Sequence, residues 1–173
     1  MGRPMVVFGD AAAALAKAVR DGLADRLAEL ERDGFPAYTT SVGWLGYPDD
    51  KVRELTRQAH AAGWRAVKMK VGGIVEQDLA RIEAATAAIG TAGLMVDANG
   101  AYDRKQALGL AEAGGRLGVC WLEEPISSDD LDGLRLIRDR APAPLEIAAG
   151  EYAYRSYDVL AMLSAGAVDV IQL

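Results

Sequence analysis

A single cysteine and a single histidine in 173 residues remove several chemistries at once. Cys120 permits no internal disulfide, which suits a reducing cytoplasm, and its place inside an apolar run reads as a buried, inert thiol. His60, among Gln58, Ala59 and Ala61, reads as a surface or helix-packing residue; Ser-His-Asp and Cys-His catalysis are thereby excluded and zinc is disfavoured. Positive charge is also scarce: 19 basic against 25 acidic residues leave a net charge of −6, without the clustered cationic surface that a phosphate backbone demands. Nucleic acid is not an expected partner. No apolar run approaches the ~20 residues of a membrane span, and the opening Met1-Gly2-Arg3-Pro4-Met5-Val6 has neither a signal-peptide core nor a myristoylation site. A soluble, cytoplasmic protein with no membrane partner is expected. Nucleotide-binding glycine patterns are missing too, so Gly72-Gly73 reads as a plain βα turn rather than a phosphate cradle.

What the chain does have is a hydrophobic fraction of 51%, arranged in alternating strand and helix patterns. Short apolar runs at residues 37–42, 66–71, 94–98, 119–123, 145–150 and 168–173 read as six strands. Between them, helical periodicity covers residues 49–62, 75–89, 103–113, 129–140 and 156–165. Asp103, Asp129 and Ser156 are placed to cap helix N-termini, and Gly63 and Gly166 to follow helix C-termini in the left-handed conformation. Strict β-α alternation implies a parallel sheet with right-handed crossovers. An earlier helix, residues 10–32, carries Leu15, Val19, Leu23, Leu27 and Leu30 on one face and belongs to no βα unit. A complete (β/α)₈ barrel takes ~250 residues, so the expectation is an α/β, TIM-type barrel present through about strands 1–6. Residues 1–35 form an N-terminal helical segment and residues 36–173 the barrel domain.

Charge falls at one end of this pattern. Lys70, Asp97, Glu123 and Glu151 close four successive apolar runs, 27, 26 and 28 residues apart (70 to 97, 97 to 123, 123 to 151), about one βα unit each. Such spacing gathers them at the carboxyl ends of neighbouring strands, where barrel chemistry is done. Strand alternation turns Lys68 inward with Lys70, Asn99 with Asp97 and Trp121 with Glu123, while Val67, Met69, Val96, Ala98, Cys120 and Leu122 face the helices. The interior is expected to be lined by Met95, Trp121 and Ile147. Glu124 points away from Glu123 on an ideal strand and reads as a supporting or surface acid. Buried acids and lysines would be costly unless mutually paired or joined by a cation. Three carboxylates without histidine or thiol partners suit Mg²⁺, and a lysine beside a cation and a second lysine is pushed toward use as a base. A cation facing a lysine base is an arrangement used by enolase-superfamily sites to stabilise an ene-diolate.

Lys68-Met69-Lys70, Val96-Asp97-Ala98-Asn99, Trp121-Leu122-Glu123-Glu124-Pro125 and Ala149-Gly150-Glu151 resemble, in order and spacing, the second- to fifth-strand signatures of the enolase superfamily, mandelate racemase subgroup. The resemblance covers residues 36–173. It implies that Asp97, Glu123 and Glu151 hold Mg²⁺, that Lys70 removes the proton α to a substrate carboxylate, and that Lys68 steadies Lys70 and that carboxylate. Asn99 would then lie beside metal and substrate. The segment from Tyr38 to Tyr47 resembles the first-strand loop of fuconate-dehydratase-type acid-sugar dehydratases, which implies that Ser41 and Trp44 lie on the substrate side, although Trp44 and Trp121 by themselves read equally as core residues. The implied protein is a Mg²⁺-dependent acid-sugar dehydratase, a homo-oligomer acting on a small carboxylate; racemisation or epimerisation of a 2-hydroxy acid, or a non-catalytic fragment, are the alternatives. The resemblance also implies a capping domain larger than residues 1–35 and an acid-base pair on strands beyond residue 173, so the chain by itself is expected to be catalytically silent.

Overall fold

A computed structural model describes residues 22–23, 25–34, 37–90 and 93–173. The chain divides into two units, residues 1–37 and 38–173. In the first, residues 22–23 and 25–33 are helical, within and one residue past the helix expected over 10–32; residues 10–21 and 24 lie outside the described residues.

The second unit is a parallel sheet whose strands lie in sequence order, β1 to β6: β1 Thr39–Gly43, β2 Ala66–Lys70, β3 Gly93–Asp97, β4 Val119–Glu123, β5 Glu146–Ala149 and β6 Val170–Ile171. Five helices make the crossovers: α1 Asp49–Ala61, α2 Val75–Ile89, α3 Arg104–Arg116, α4 Leu131–Arg140 and α5 Ser156–Ala165. These are six strands of a TIM-type barrel, as the alternation implies. The sixth strand is much shorter than its apolar run, two residues instead of six.

The core lies between sheet and helices. Val67, Met69, Val96 and Leu122 are all but inaccessible, as are Ile82, Leu110, Leu134 and Ile137 of the helices that cover them. Register corrects one expected position. Ile147 stands beside Leu122, and adjacent residues of parallel strands share a face, so Ile147 joins the helix-facing core and Ala148 takes the inward place beside Glu123.

The caps are local and partly different from expectation. Asp103 accepts from the backbone of Lys105 and Gln106, and Gln106 reaches back to the Asp103 amide, a complete capping box. The start of α4 is capped by Asp130, which accepts from the Gly133 amide, rather than by Asp129. At α5 the cap is Arg155 instead of Ser156; its amide and guanidinium both donate to Asp158. Gly63 and Gly166 do adopt positive φ. His60 is exposed, as expected, with its ring against Gly90.

Candidate metal centre and lysine pair

The strand register sets the site out as a row. Lys70 lies beside Asp97, Asp97 beside Glu123, and Glu123 beside Ala148, across four strands. Lys68, Met95 and Trp121 form the row two residues below. Glu151 follows two residues after the end of β5, past Gly150, where an added Cβ would overlap the Gln172 carbonyl. One oxygen from each of Asp97, Glu123 and Glu151 lies within 4.8 Å of the others.

The two lysines are held differently. Lys68 is buried, with Nζ 2.5 Å from Glu123 Oε2 and 3.4 Å from Asp97 Oδ2, and it lies over the Tyr38 ring. Burial works against its charge, but the Glu123 hydrogen bond and the Glu123 and Asp97 charges outweigh it and hold the ammonium above the ordinary lysine range. Lys70 is more open, about a fifth exposed; its Nζ donates to Asp97 Oδ2 at 2.5 Å and Asn99 Oδ1 at 2.7 Å. Burial would raise Asp97, yet the Lys70 and Asn99 hydrogen bonds and both lysine charges keep its carboxyl below the ordinary value. Glu123 goes the other way: burial, joined by the Asp97 charge, pushes it up against the pull of Lys68.

Asn99 and Glu124 are the non-glycine residues with positive φ among the described residues, at 46° and 41°. They follow the strand ends that carry Asp97 and Glu123, and such strained backbone tends to gather at functional sites. For Glu124 the structure decides between the two readings of the sequence. The carboxyl is 1% exposed, neither oxygen has a partner, and burial followed by the charges of Glu151, Asp97 and Glu123 pushes it up to about 7. It is a buried acid among the site carboxylates, not a surface one.

Trp121 shares the inward face as expected, its indole N–H donating to Glu123 Oε2 at 3.3 Å. Trp44 is exposed just past β1, and its carbonyl accepts from Arg81. Ser41 lies in β1, with its side chain outside the described residues. Cys120 is half-buried and donates to the Leu94 carbonyl. The amides of Gly72 and Gly73 donate to Asp78, so the turn after β2 holds the chain's own carboxylate.

Three residues of the site's surroundings were not singled out in the sequence. Asp78, Arg81 and Tyr102 are buried and hydrogen-bonded to one another and to the backbone after β2. A signal existed for two of them: Asp78 and Arg81 fall with Ile82 and Ala85 on the buried stripe of α2. Tyr102 carries no comparable periodicity.

The donor set fits a divalent cation. All three ligand candidates are carboxylates, and Glu123 Oε1 is buried without a hydrogen-bond partner, an arrangement a hard oxygen-binding ion would relieve. The cluster can hold a metal ion.

Residues 51–173 match the family described as Enolase C-terminal domain-like. The chain is 37% identical over 167 residues to L-galactonate dehydratase of Hypocrea jecorina, covering 94% of this chain and 37% of that protein. A mandelate racemase/muconate lactonizing enzyme-like protein from Rubrobacter xylanophilus is similar at 48% identity and a TM-score of 0.74, over 79% of this chain and 38% of that one. L-talarate/galactarate dehydratase from Salmonella typhimurium LT2, solved with Mg and L-lyxarohydroxamate, is similar at 29% identity and a TM-score of 0.73, over 78% of this chain and 34% of that one. The chain thus spans little more than a third of the length of these relatives. Matched from within α1 through β6, the chain belongs to the Enolase C-terminal domain-like family.

Proposed function

We propose that the chain supplies the cation-binding half of the active site of a Mg²⁺-dependent acid-sugar dehydratase. The observation that carries this reading is the convergence of Asp97, Glu123 and Glu151 on the rim where Lys70 meets Asp97 and Asn99. Asp97, Glu123 and Glu151 would hold Mg²⁺, which when bound supplies positive charge against the negative charge developing on the substrate carboxylate. Lys68, buried against two carboxylates, stays an ammonium and orients them. Lys70, the more open lysine, takes the proton from the carbon next to the substrate carboxylate. That C–H bond breaks toward Lys70 Nζ, and the electron pair forms a C=C bond as the β-hydroxyl leaves. The proton that makes water of that hydroxyl comes from an acid we assign to none of the described residues. Asn99 holds Lys70 Nζ, and Ser41 of β1 and Trp44 just past it are assigned to substrate binding. We place the protein as a homo-oligomer in a reducing cytoplasm, supported by the exposed Tyr157, Leu160 and Leu163 of α5 and the single thiol of Cys120. Dehydratase relatives support dehydration; racemisation of a 2-hydroxy acid would share the first proton transfer and differ in product.

The test has two arms. Mg²⁺ should raise the melting temperature of the chain, and Glu123→Gln should remove most of that rise; equal stabilisation of both would reject the ligand assignment. In a chimera carrying residues 1–173 within L-galactonate dehydratase, aldonic and aldaric acids in D₂O should exchange the α-proton in a Mg²⁺-dependent way and yield a 2-keto-3-deoxy acid by NMR. Lys70→Ala should abolish the exchange with Mg²⁺ affinity nearly unchanged; undiminished exchange would exclude Lys70 as the base, and an inverted centre without keto product would mean racemisation.

A further inference from the structure

Behind the lysine row lies a second buried polar cluster. The Arg81 guanidinium, 7% exposed, makes three hydrogen bonds to three different segments. Nη1 donates to the carbonyl of Lys70 at 2.9 Å and to Asp78 Oδ1 at 3.1 Å, and Nη2 donates to the carbonyl of Trp44 at 2.8 Å. The other Asp78 oxygen accepts from the Gly72 amide at 3.1 Å, the Gly73 amide at 2.7 Å and the Tyr102 hydroxyl at 2.7 Å. Tyr102 comes from the loop after β3, the loop that presents Asn99 to Lys70 Nζ. Gly72 closes the arrangement from the backbone side: its φ is 118°, and an added Cβ would stand 2.9 Å from Ala101 Cβ and 3.0 Å from the Ala98 carbonyl.

The geometry points to Arg81, together with Asp78 and Tyr102, as the positioning cluster for Lys70: it fixes the main chain of Lys70 while Asp97 and Asn99 hold its Nζ. A lysine side chain has four rotatable bonds, and its Nζ is placed only as well as its own backbone and its terminal partners are placed. Arg81 supplies that backbone anchor and ties it to the Trp44 carbonyl, so the base and the segment after β1 move as one piece. The planar guanidinium fork spans its three oxygen acceptors; a lysine at 81 has one nitrogen to offer. The inference rests on Lys70 being the base, but its first readout does not.

Arg81→Lys is compared with wild type by trace isotope-coded reductive methylation, with the labelling of each lysine measured by mass spectrometry. With the anchor lost, labelling of Lys70 should rise about tenfold relative to Lys51 and Lys105, the effect of losing about one net hydrogen bond, while those two surface lysines stay constant. Tyr102→Phe, which leaves the fork intact and removes a single hydroxyl, should give a smaller rise confined to Lys70 and keeps the test readable if Arg81→Lys does not fold. In the chimera, Arg81→Lys should lower kcat about tenfold with KM within about twofold. Unchanged Lys70 labelling in a folded variant, or a uniform rise across all four of Lys51, Lys68, Lys70 and Lys105, would overturn the assignment. Absence of α-proton exchange in the wild-type chimera would instead reject the base assignment and leave the labelling result standing.

Discussion

Glu124 is an acid that the fold keeps short of partners, and its stability effect has a definite sign. A carboxyl whose folded value is pushed up to about 7 favours the neutral form in the fold. Its ionisation therefore costs stability, beginning above the ordinary carboxyl value and complete once the pH passes the folded one. Without Mg²⁺, Glu124→Gln should stabilise the chain by roughly 1–3 kcal/mol at pH 8 and by nearly nothing at pH 4.5, as read from urea unfolding at the two pH values. An equal gain at both would show that the charge is not the cause. Asp97 carries the opposite sign: held below its ordinary value by Lys70, it adds stability above that value and loses it as the pH falls further, so acid unfolding should begin at lower pH in wild type than in a Lys70→Ala variant.

At the scale of elements, short-range chemistry decides where helices begin. The α3 box uses Asp103 and Gln106, both within the first turn, so Asp103→Ala should cost about 1 kcal/mol in chemical denaturation. For α4 the choice between two adjacent aspartates is made from outside the helix. Asp130 is held by the Arg104 guanidinium at 2.7 Å and also accepts from Gly133, whereas the Asp129 side chain takes no part in the cap. Asp129→Ala should therefore stay within about 0.5 kcal/mol of wild type, and Asp130→Ala should cost about 1 kcal/mol or more. Equal costs for the two aspartates would contradict the observed cap. The two-residue β6 has a similar explanation. The Val168 to Leu173 run is apolar enough for a longer strand, and the Asp169 amide already donates to the Ile147 carbonyl, but the Ile147 amide is taken by the Asp169 side chain, which also accepts from the Arg138 guanidinium, so the two-way ladder starts only at Val170.

For the molecule as a whole, the sheet order leaves β1 and β6 each paired on one side among the described residues. Unpaired strand edges recruit further strands, and closure is what removes them in a barrel. A polypeptide of residues 1–173 alone should accordingly run above its monomer mass in light scattering, with Mg²⁺ raising its melting temperature without dispersing it. A sharp monomer peak would show that the edges are protected in another way. Among the described residues no helix is long and apolar enough to cross a membrane.

The sequence by itself determined the parts that depend on local period. Alternation of two kinds of apolar spacing marked five helices and six strands, with Val119–Glu123, Val75–Ile89 and Ser156–Ala165 placed residue for residue. A near-constant step along the chain put Lys70, Asp97, Glu123 and Glu151 at one end of the sheet, because parallel strands joined by equal crossovers bring equivalent positions side by side. Tertiary structure decided what spacing cannot encode. Register between strands sent Ile147 to the helix side. Two left-handed residues turned Asn99 toward Lys70 and buried Glu124 among like charges. Long-range hydrogen bonds from α2 and the loop after β3 made Asp78, Arg81 and Tyr102 a single support for β2. Each of these depends on which groups meet across dozens of residues, and a lone sequence records the groups but not the meeting.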